Sequence, residues 1–203
     1  MQITQSDLKS ALPDTTSEVQ TKHIGSDVLI MRDTYGIPHV SASNTYDAFF
    51  GQGFATAQDR LWHMEFDRRK AFGRWAELVG KSGLDSDITM RNFQIESSVQ
   101  KDLAELNEET ISMLEAYSDG VNSFIDTTST LPVEYKLTNS KPEPWSPKDC
   151  LAVYKVRHIM MGVFEGKYWR AQLLNHLGPE KTADLIKGYQ KGHLLIVPPL
   201  DTY

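Results

Sequence analysis

The chain has 203 residues, 40% of them hydrophobic and 24% charged, with a formal net charge of -6. That composition fits a folded globular protein and excludes whole-chain disorder, and the acidic balance argues against a nucleic-acid partner, because affinity for phosphates rests on clustered Lys and Arg that release counterions. The single cysteine, Cys150, excludes an intrachain disulfide and a multi-cysteine zinc site, and no stretch approaches the roughly 18 uninterrupted apolar residues of a membrane-spanning helix.

Residues 1–26 are polar and without periodicity, which predicts an arm ordered only where something holds it, and they lack the apolar core of a signal peptide. Val28 to Met31 then favours a strand, Gly36 sits where a turn wants positive φ, and His39 to Ala42 returns as a second strand with Pro38 at its edge. A hairpin alone is marginal in water, so this one is expected to join a sheet supplied from elsewhere.

Asn44 is the expected N-cap of a helix from about Thr45 to Phe72, with Asp47 as its capping-box partner and Phe54, Ala57, Leu61 and Met64 stepping by threes and fours. Gly51 and Gly53 inside it each cost about 1 kcal/mol relative to Ala, which marks close backbone packing or a kink. In the second half of this helix and just beyond, Asp59, Arg60, Glu65, Asp67, Arg68, Arg69 and Arg74 are threaded through Trp62, Phe66 and Phe72. Two readings stay open there. One is a solvated face of ion pairs, each worth a few tenths of a kcal/mol, and the other is a buried ion network that fixes the helix beneath a larger sheet.

Asn107 caps a further predicted helix with Ile111, Leu114, Tyr117, Val121 and Phe124 on one face. The prolines of LTNSKPEPWSPKD break the pattern, and Ser146, Pro147 and Asp149 start a helix through CLAVYKVRHIMM. Gly178-Pro179 ends the next helix, which carries Leu173, Leu174 and Leu177. A short helix from Pro179 to Ile186 and the apolar tail LLIVPPLDTY follow.

Nucleophilic catalysis needs a Ser, Thr or Cys with a base in reach. The chain has no G-x-S-x-G elbow, Cys150 reads as a small buried hydrophobe, and removal of Met1 exposes Gln2, so an N-terminal nucleophile on this chain is not expected. The six His are scattered, which argues against zinc, whereas a carboxylate such as Glu165 could either complete a calcium site shared with another chain or simply face solvent. His158, Met160, Met161, Gly162 and Phe164 set adaptable thioethers and an aromatic ring around a glycine, as a ligand pocket or as core filler.

The blocks RDTYGIPHV (32–40), GQGFATAQDRLWHMEFDRR (51–69), GRWAELVG (73–80) and WSPKDCLAV (145–153) together resemble the penicillin acylase family, and their order matches its small α subunit. The resemblance implies an α+β chain, mostly helical, that lends helices and a few strands to the αββα sandwich of N-terminal nucleophile hydrolases. It implies residues 1–26 as an arm and 27–203 as one unit folding with a larger β chain from the same self-cleaving precursor, in an αβ heterodimer. The catalytic Ser is then expected on the β chain, and no catalytic group on this one. The implied reaction is hydrolysis of an acyl amide, such as a β-lactam side chain or an N-acyl-homoserine lactone, with other N-acyl amino acids or amines as the alternative. Met160 and Phe164 show the spacing of the family's acyl-pocket residues, with His158, Met161 and Gly162 as neighbours, although Val163 stands where the family often has Arg. Glu165 is the implied calcium ligand, structural calcium the implied cofactor, and a periplasmic or secreted location the implied compartment, with a cytoplasmic one the alternative. A scaffold protein complete in this chain is the reading from a different class.

Overall fold

The computed structural model describes residues 3–162 and 164–187, and these fall into two compact units that divide between His158 and Ile159. In the first unit a short helix α1 (Gln5–Ser10) precedes strands β1 (Leu29–Arg32) and β2 (Pro38–Ser41). Helices α2 (Thr45–Ala71), α3 (Ala76–Val79), α4 (Leu84–Asn92), α5 (Ile95–Glu105), α6 (Glu108–Thr127) and α7 (Val133–Thr138) follow. Helix α8 (Pro147–Met161) runs past the division, and α9 (Phe164–Leu185) belongs to the second unit.

The predicted hairpin is present, shifted by one residue, with Leu29 paired to Ser41 and Arg32 to Pro38 in an antiparallel ladder. Its turn is built by Asp33, whose Oδ1 accepts the N–H groups of Tyr35 at 2.8 Å and Ile37 at 3.0 Å. Gly36 at φ +79° supplies the left-handed step that an L side chain resists.

Helix α2 begins as predicted, with the Asn44 side chain accepting from the Asp47 N–H at 2.9 Å. The predicted reciprocal bond is replaced by a tertiary one. The buried Asp47 carboxylate accepts from the backbone of Gly25 and Ser26, both at 3.0 Å, and so anchors the incoming arm to the helix start. The arm is further tied by an Asp7–Lys136 ion pair and by Gln58, which donates to the Asp14 carbonyl. Within the arm, α1 carries a complete capping box from Thr4 and Asp7, a signal that the absence of apolar periodicity concealed.

The core lies between α2 and α6. Ala57, Leu61 and Met64 meet Val121 and Phe124, with Tyr135 and Trp145 closing the cluster. The predicted glycine packing holds: a Cβ on Gly53 would lie 2.0 Å from the Tyr117 carbonyl oxygen, and one on Gly120 would lie 2.0 Å from that of Phe50. The two backbones approach through these gaps, so Ala116, Gly120 and Ser123 are buried beside Val121 and Phe124 of the expected face, whose Ile111, Leu114 and Tyr117 are half-buried. The irregularity of α2 falls at Arg60, φ -138°, not at its glycines.

Helix α8 starts at the Ser146-Pro147 signal. The Asp149 carboxylate accepts the Ser146 N–H at 2.8 Å and its hydroxyl at 2.7 Å. In the second unit, α9 breaks at Gly178, φ 76°, just before Pro179, as the sequence predicts. The tail 194–203 and Val163 lie outside the described residues.

Candidate functional site: the α2 ion network and the end of α8

The first block of the sequence is joined to the second by Arg32. Its guanidinium donates to Asp59 at 2.8 and 3.1 Å, to Gln58 at 2.6 Å and to the Gly36 carbonyl at 2.9 Å. The arginine before the hairpin turn therefore clamps the hairpin to the Gln-Asp pair of α2, and the next residue, Asp33, holds His39 across the turn at 3.2 Å. This is structural chemistry, positioning a strand pair whose Leu29, Met31 and Ile37 remain exposed.

Of the two readings of the charged stretch, the structure selects the buried network. Glu65 is 2% exposed and bridges Arg68 and Arg69 one turn away, the second through Nε at 2.5 Å. Arg69 continues to Glu77 at 2.5 Å and Glu143 at 2.9 Å, and Arg74 grips the same two carboxylates at 2.8–3.0 Å. Arg68 donates to the Pro144 carbonyl at 2.8 Å and stacks over Trp145 at 5.1 Å. Hydrogen bonds from Arg74, opposed by partial burial, pull the Glu143 carboxyl down to about 2, and Arg74 leads the lowering of Glu77 as well. Charges removed from water need such partners, because an uncompensated one costs several kcal/mol. The result pins the proline-rich 141–147 segment to α2 and fixes where α8 starts.

Cys150 behaves as a buried hydrophobe. Its Sγ accepts from the Trp145 indole at 3.3 Å, and burial raises its thiol pKa, the reverse of what a reactive thiolate needs. It is not a nucleophile in this setting.

Farther along α8, Arg157 reaches back to α2. Its Nε donates to Asp67 Oδ2 at 2.7 Å, Nη2 lies 2.6 Å from the same oxygen, and Nη2 also meets His63 Nε2. Nothing in the sequence pointed to this pair: its members are 90 residues apart and belong to helices with no shared periodicity.

The predicted pocket residues follow. His158 is exposed at the end of the first unit, its Nδ1 3.1 Å from the Tyr154 carbonyl and its ring 4.5 Å from that of Tyr154. Met160 (44% exposed) and Met161 (80% exposed) form the last turn of α8. Gly162 is exposed and donates to the Ile159 carbonyl at 3.2 Å, a tightened turn that ends the helix. Phe164, half-buried, opens α9. Met160 thus ends α8 and Phe164 begins α9, so helical i,i+4 spacing does not relate the pair.

Glu165 is exposed in the first turn of α9, and no group of three or more His, Cys, Asp or Glu side chains among the described residues could hold a metal ion. No helix among them is long and apolar enough to cross a membrane.

The described residues form a mostly helical chain with a two-strand hairpin, and this fold matches the penicillin G acylase α chain. The structure matches a chain of the thermostable penicillin G acylase from Alcaligenes faecalis with a TM-score of 0.68 and 27% identity, over 85% of this chain and 97% of that one. In sequence it is 38% identical to the penicillin acylase 2 proenzyme of Pseudomonas sp. (strain SE83), over 95% of this chain and 25% of that protein. It is 35% identical to the penicillin G acylase of Escherichia coli over 64% of the chain and 16% of that protein, and 28% identical to the acyl-homoserine lactone acylase QuiP of Pseudomonas putida over 89% of the chain. The penicillin amidase family model matches residues 27–192, and the chain belongs to that family, corresponding to the α-subunit portion of penicillin acylases. It spans a quarter or less of the length of these curated relatives.

Proposed function

We propose that this chain is the α subunit of an amide hydrolase that removes the acyl group of an N-acyl compound, a β-lactam side chain or an N-acyl-homoserine lactone. The observation that carries this reading is the match along 95% of the chain to a penicillin acylase proenzyme, together with the structural match over 97% of a penicillin G acylase chain. Matches to acyl-homoserine lactone acylases at 25–29% identity favour the lactone as the second substrate class.

In this reading a larger β chain from the same precursor supplies an N-terminal Ser. Its Oγ attacks the amide carbonyl with the α-amine as base, the amine product leaves, and water releases the acyl group from the ester. This chain binds the acyl group: Met160 and Phe164 wall it, with Met161, Gly162 and His158 beside them. The exposure of Met160 and Met161 supports a role at a surface completed by another chain. Any calcium held through Glu165 then draws its other oxygen ligands from that chain, and the compartment that fits the family is periplasmic or extracellular.

The test is a panel of amides sharing one leaving group and differing in acyl group. Phe164→Ala and Met160→Ala shift the preference among acyl groups by about tenfold or more while leaving turnover of a small acyl anilide within a few fold. An unchanged preference across the panel removes these residues from the pocket, and no hydrolysis of any member by the wild-type heterodimer removes the function.

A further inference from the structure

Between the end of α2, the α4–α5 junction and the 143–149 segment lies an open cavity of about 490 Å3, wholly within the first unit. Its apolar lining is Ala71, Met90 and Ile95, all buried, with Phe72 and Pro144 beside them. Most of the charges that border it are matched with one another. Arg74 grips Glu143 at 2.8 and 3.0 Å, Lys148 meets Glu96 at 2.6 Å, and Arg68 lies 3.9 Å from Asp149. Arg91, exposed in the last turn of α4, borders the cavity with no carboxylate partner among the described residues. Its Nε donates to the Gly73 carbonyl at 3.1 Å, and Gly73, at φ +60°, makes room for its stem: a Cβ there would lie 2.7 Å from Arg91 Cγ. The side chain is thus held by its stem and its Nε, while Nη1 and Nη2 stay unengaged, a fork set in place for a carboxylate. Arg68, 2% exposed, borders the cavity too, and its Nε is buried without a hydrogen-bond partner. On the same side α5 opens after a left-handed Gln94 without a side-chain cap, which adds to the positive field.

We propose that this cavity binds a monocarboxylate with an apolar body, a fatty or arylalkanoic acid. Arg91 holds the carboxylate, and the body lies against Phe72, Met90 and Ile95. One negative charge answers the one unpaired cation, whereas a second would meet the carboxylates of Glu96 and Glu143, which selects against phosphates and dicarboxylates. Burial of the apolar body is what separates such a ligand from a bare anion. The acid that the proposed hydrolysis would release belongs to this class, yet the inference is drawn from the cavity and needs nothing from that reading.

The experiment uses the natively purified protein with whatever chain accompanies it, and reads hydrogen–deuterium exchange by peptide in sodium octanoate, sodium acetate or octanol at matched concentrations. Octanoate is expected to slow exchange several-fold in the peptides covering 90–98 and 143–149, and acetate and octanol to slow it far less. Arg91→Gln, a surface substitution that leaves folding intact, is expected to weaken octanoate about tenfold in a titration of that protection. Arg91→Lys, which keeps the charge and loses the fork, falls between Arg91→Gln and wild type. No slowing in those peptides overturns the proposal, whether the cavity has no affinity for the acid or another chain fills it. Equal slowing by acetate reduces the cavity to a bare-anion site, equal slowing by octanol removes the carboxylate from recognition, and either result overturns the proposal. An octanoate affinity unchanged in Arg91→Gln overturns it as well. Amide hydrolysis is nowhere read, so failure here leaves the acylase reading standing, and failure of that reading leaves this result standing.

Discussion

Between Phe50 and Arg69, α2 buries a glutamate, an aspartate, two arginines and the glycine contacts to α6, with a partner for nearly every charge. From Phe164 to Leu185, α9 does the reverse and leaves Tyr168, Trp169, Leu174 and Leu177 exposed. Polar side chains are sunk in one helix and large apolar ones stand out of the other. The first helix is finished within this chain, because its buried charges find their counter-charges on its own neighbours. The second has apolar surface that the described residues leave exposed, which is what a subunit of a larger assembly carries.

That contrast is testable by substitution, and the largest effect belongs to the network. Glu65→Leu strands Arg68 and Arg69 without their shared carboxylate and is expected to lower the unfolding free energy by about 3–5 kcal/mol, read as an earlier urea midpoint at unchanged slope. A loss below about 1 kcal/mol would return the charges to solvent and erase the contrast. Next comes Gly53→Ala, whose Cβ would sit 2.0 Å from the Tyr117 carbonyl oxygen, so that α2 and α6 must separate. Overpacking of this kind costs about 1–3 kcal/mol, and a neutral result in thermal melts would mean the helices have room to spare.

Acid provides a smaller and more selective probe. Glu143 titrates well below its ordinary 4.5, at about 2, with the Arg74 hydrogen bonds the leading cause. A carboxylate depressed in the folded state contributes stability that is fully present above its unfolded pKa and is lost as pH falls through the folded one. Melting temperature should therefore decline between about pH 5 and pH 2, and Glu143→Gln should flatten that decline while lowering the plateau at neutral pH. The same slope in both proteins would deny Glu143 its part. The smallest effect is expected in α9, where Trp169→Ser should change the stability of the chain by less than about 0.5 kcal/mol. A larger loss would show that Trp169 covers something within the chain.

How far these regions could be read in advance follows from the range of the forces involved. Asn44, Asn107 and Ser146-Pro147 each announce a helix start because a cap is settled within a few residues, and α2, α6 and α8 begin where those signals stand. Helices α4, α5 and α7 went unread, since their ends carry no side-chain cap: α4 follows Gly83, α5 follows a left-handed Gln94 and α7 follows Pro132. Asp47 and Asp87 illustrate the same limit. Each looks like a local helix residue, and each spends its carboxylate on backbone N–H groups 11 to 22 residues away. Motif order revealed the family, but the pairing of Arg32 with Asp59, or of Arg157 with Asp67, depends on tertiary geometry that spacing does not encode. At the predicted pocket, nothing in the spacing of Met160 and Phe164 showed that the two lie on separate helices, α8 and α9.

The central claim is that this chain acts as one part of a two-chain hydrolase, and intact-mass measurement with N-terminal sequencing of the natively purified complex tests it most directly. The account predicts a second, larger chain of the same precursor whose first residue is Ser. A lone, folded and monodisperse protein would contradict it and make the helical chain a complete molecule with some other task.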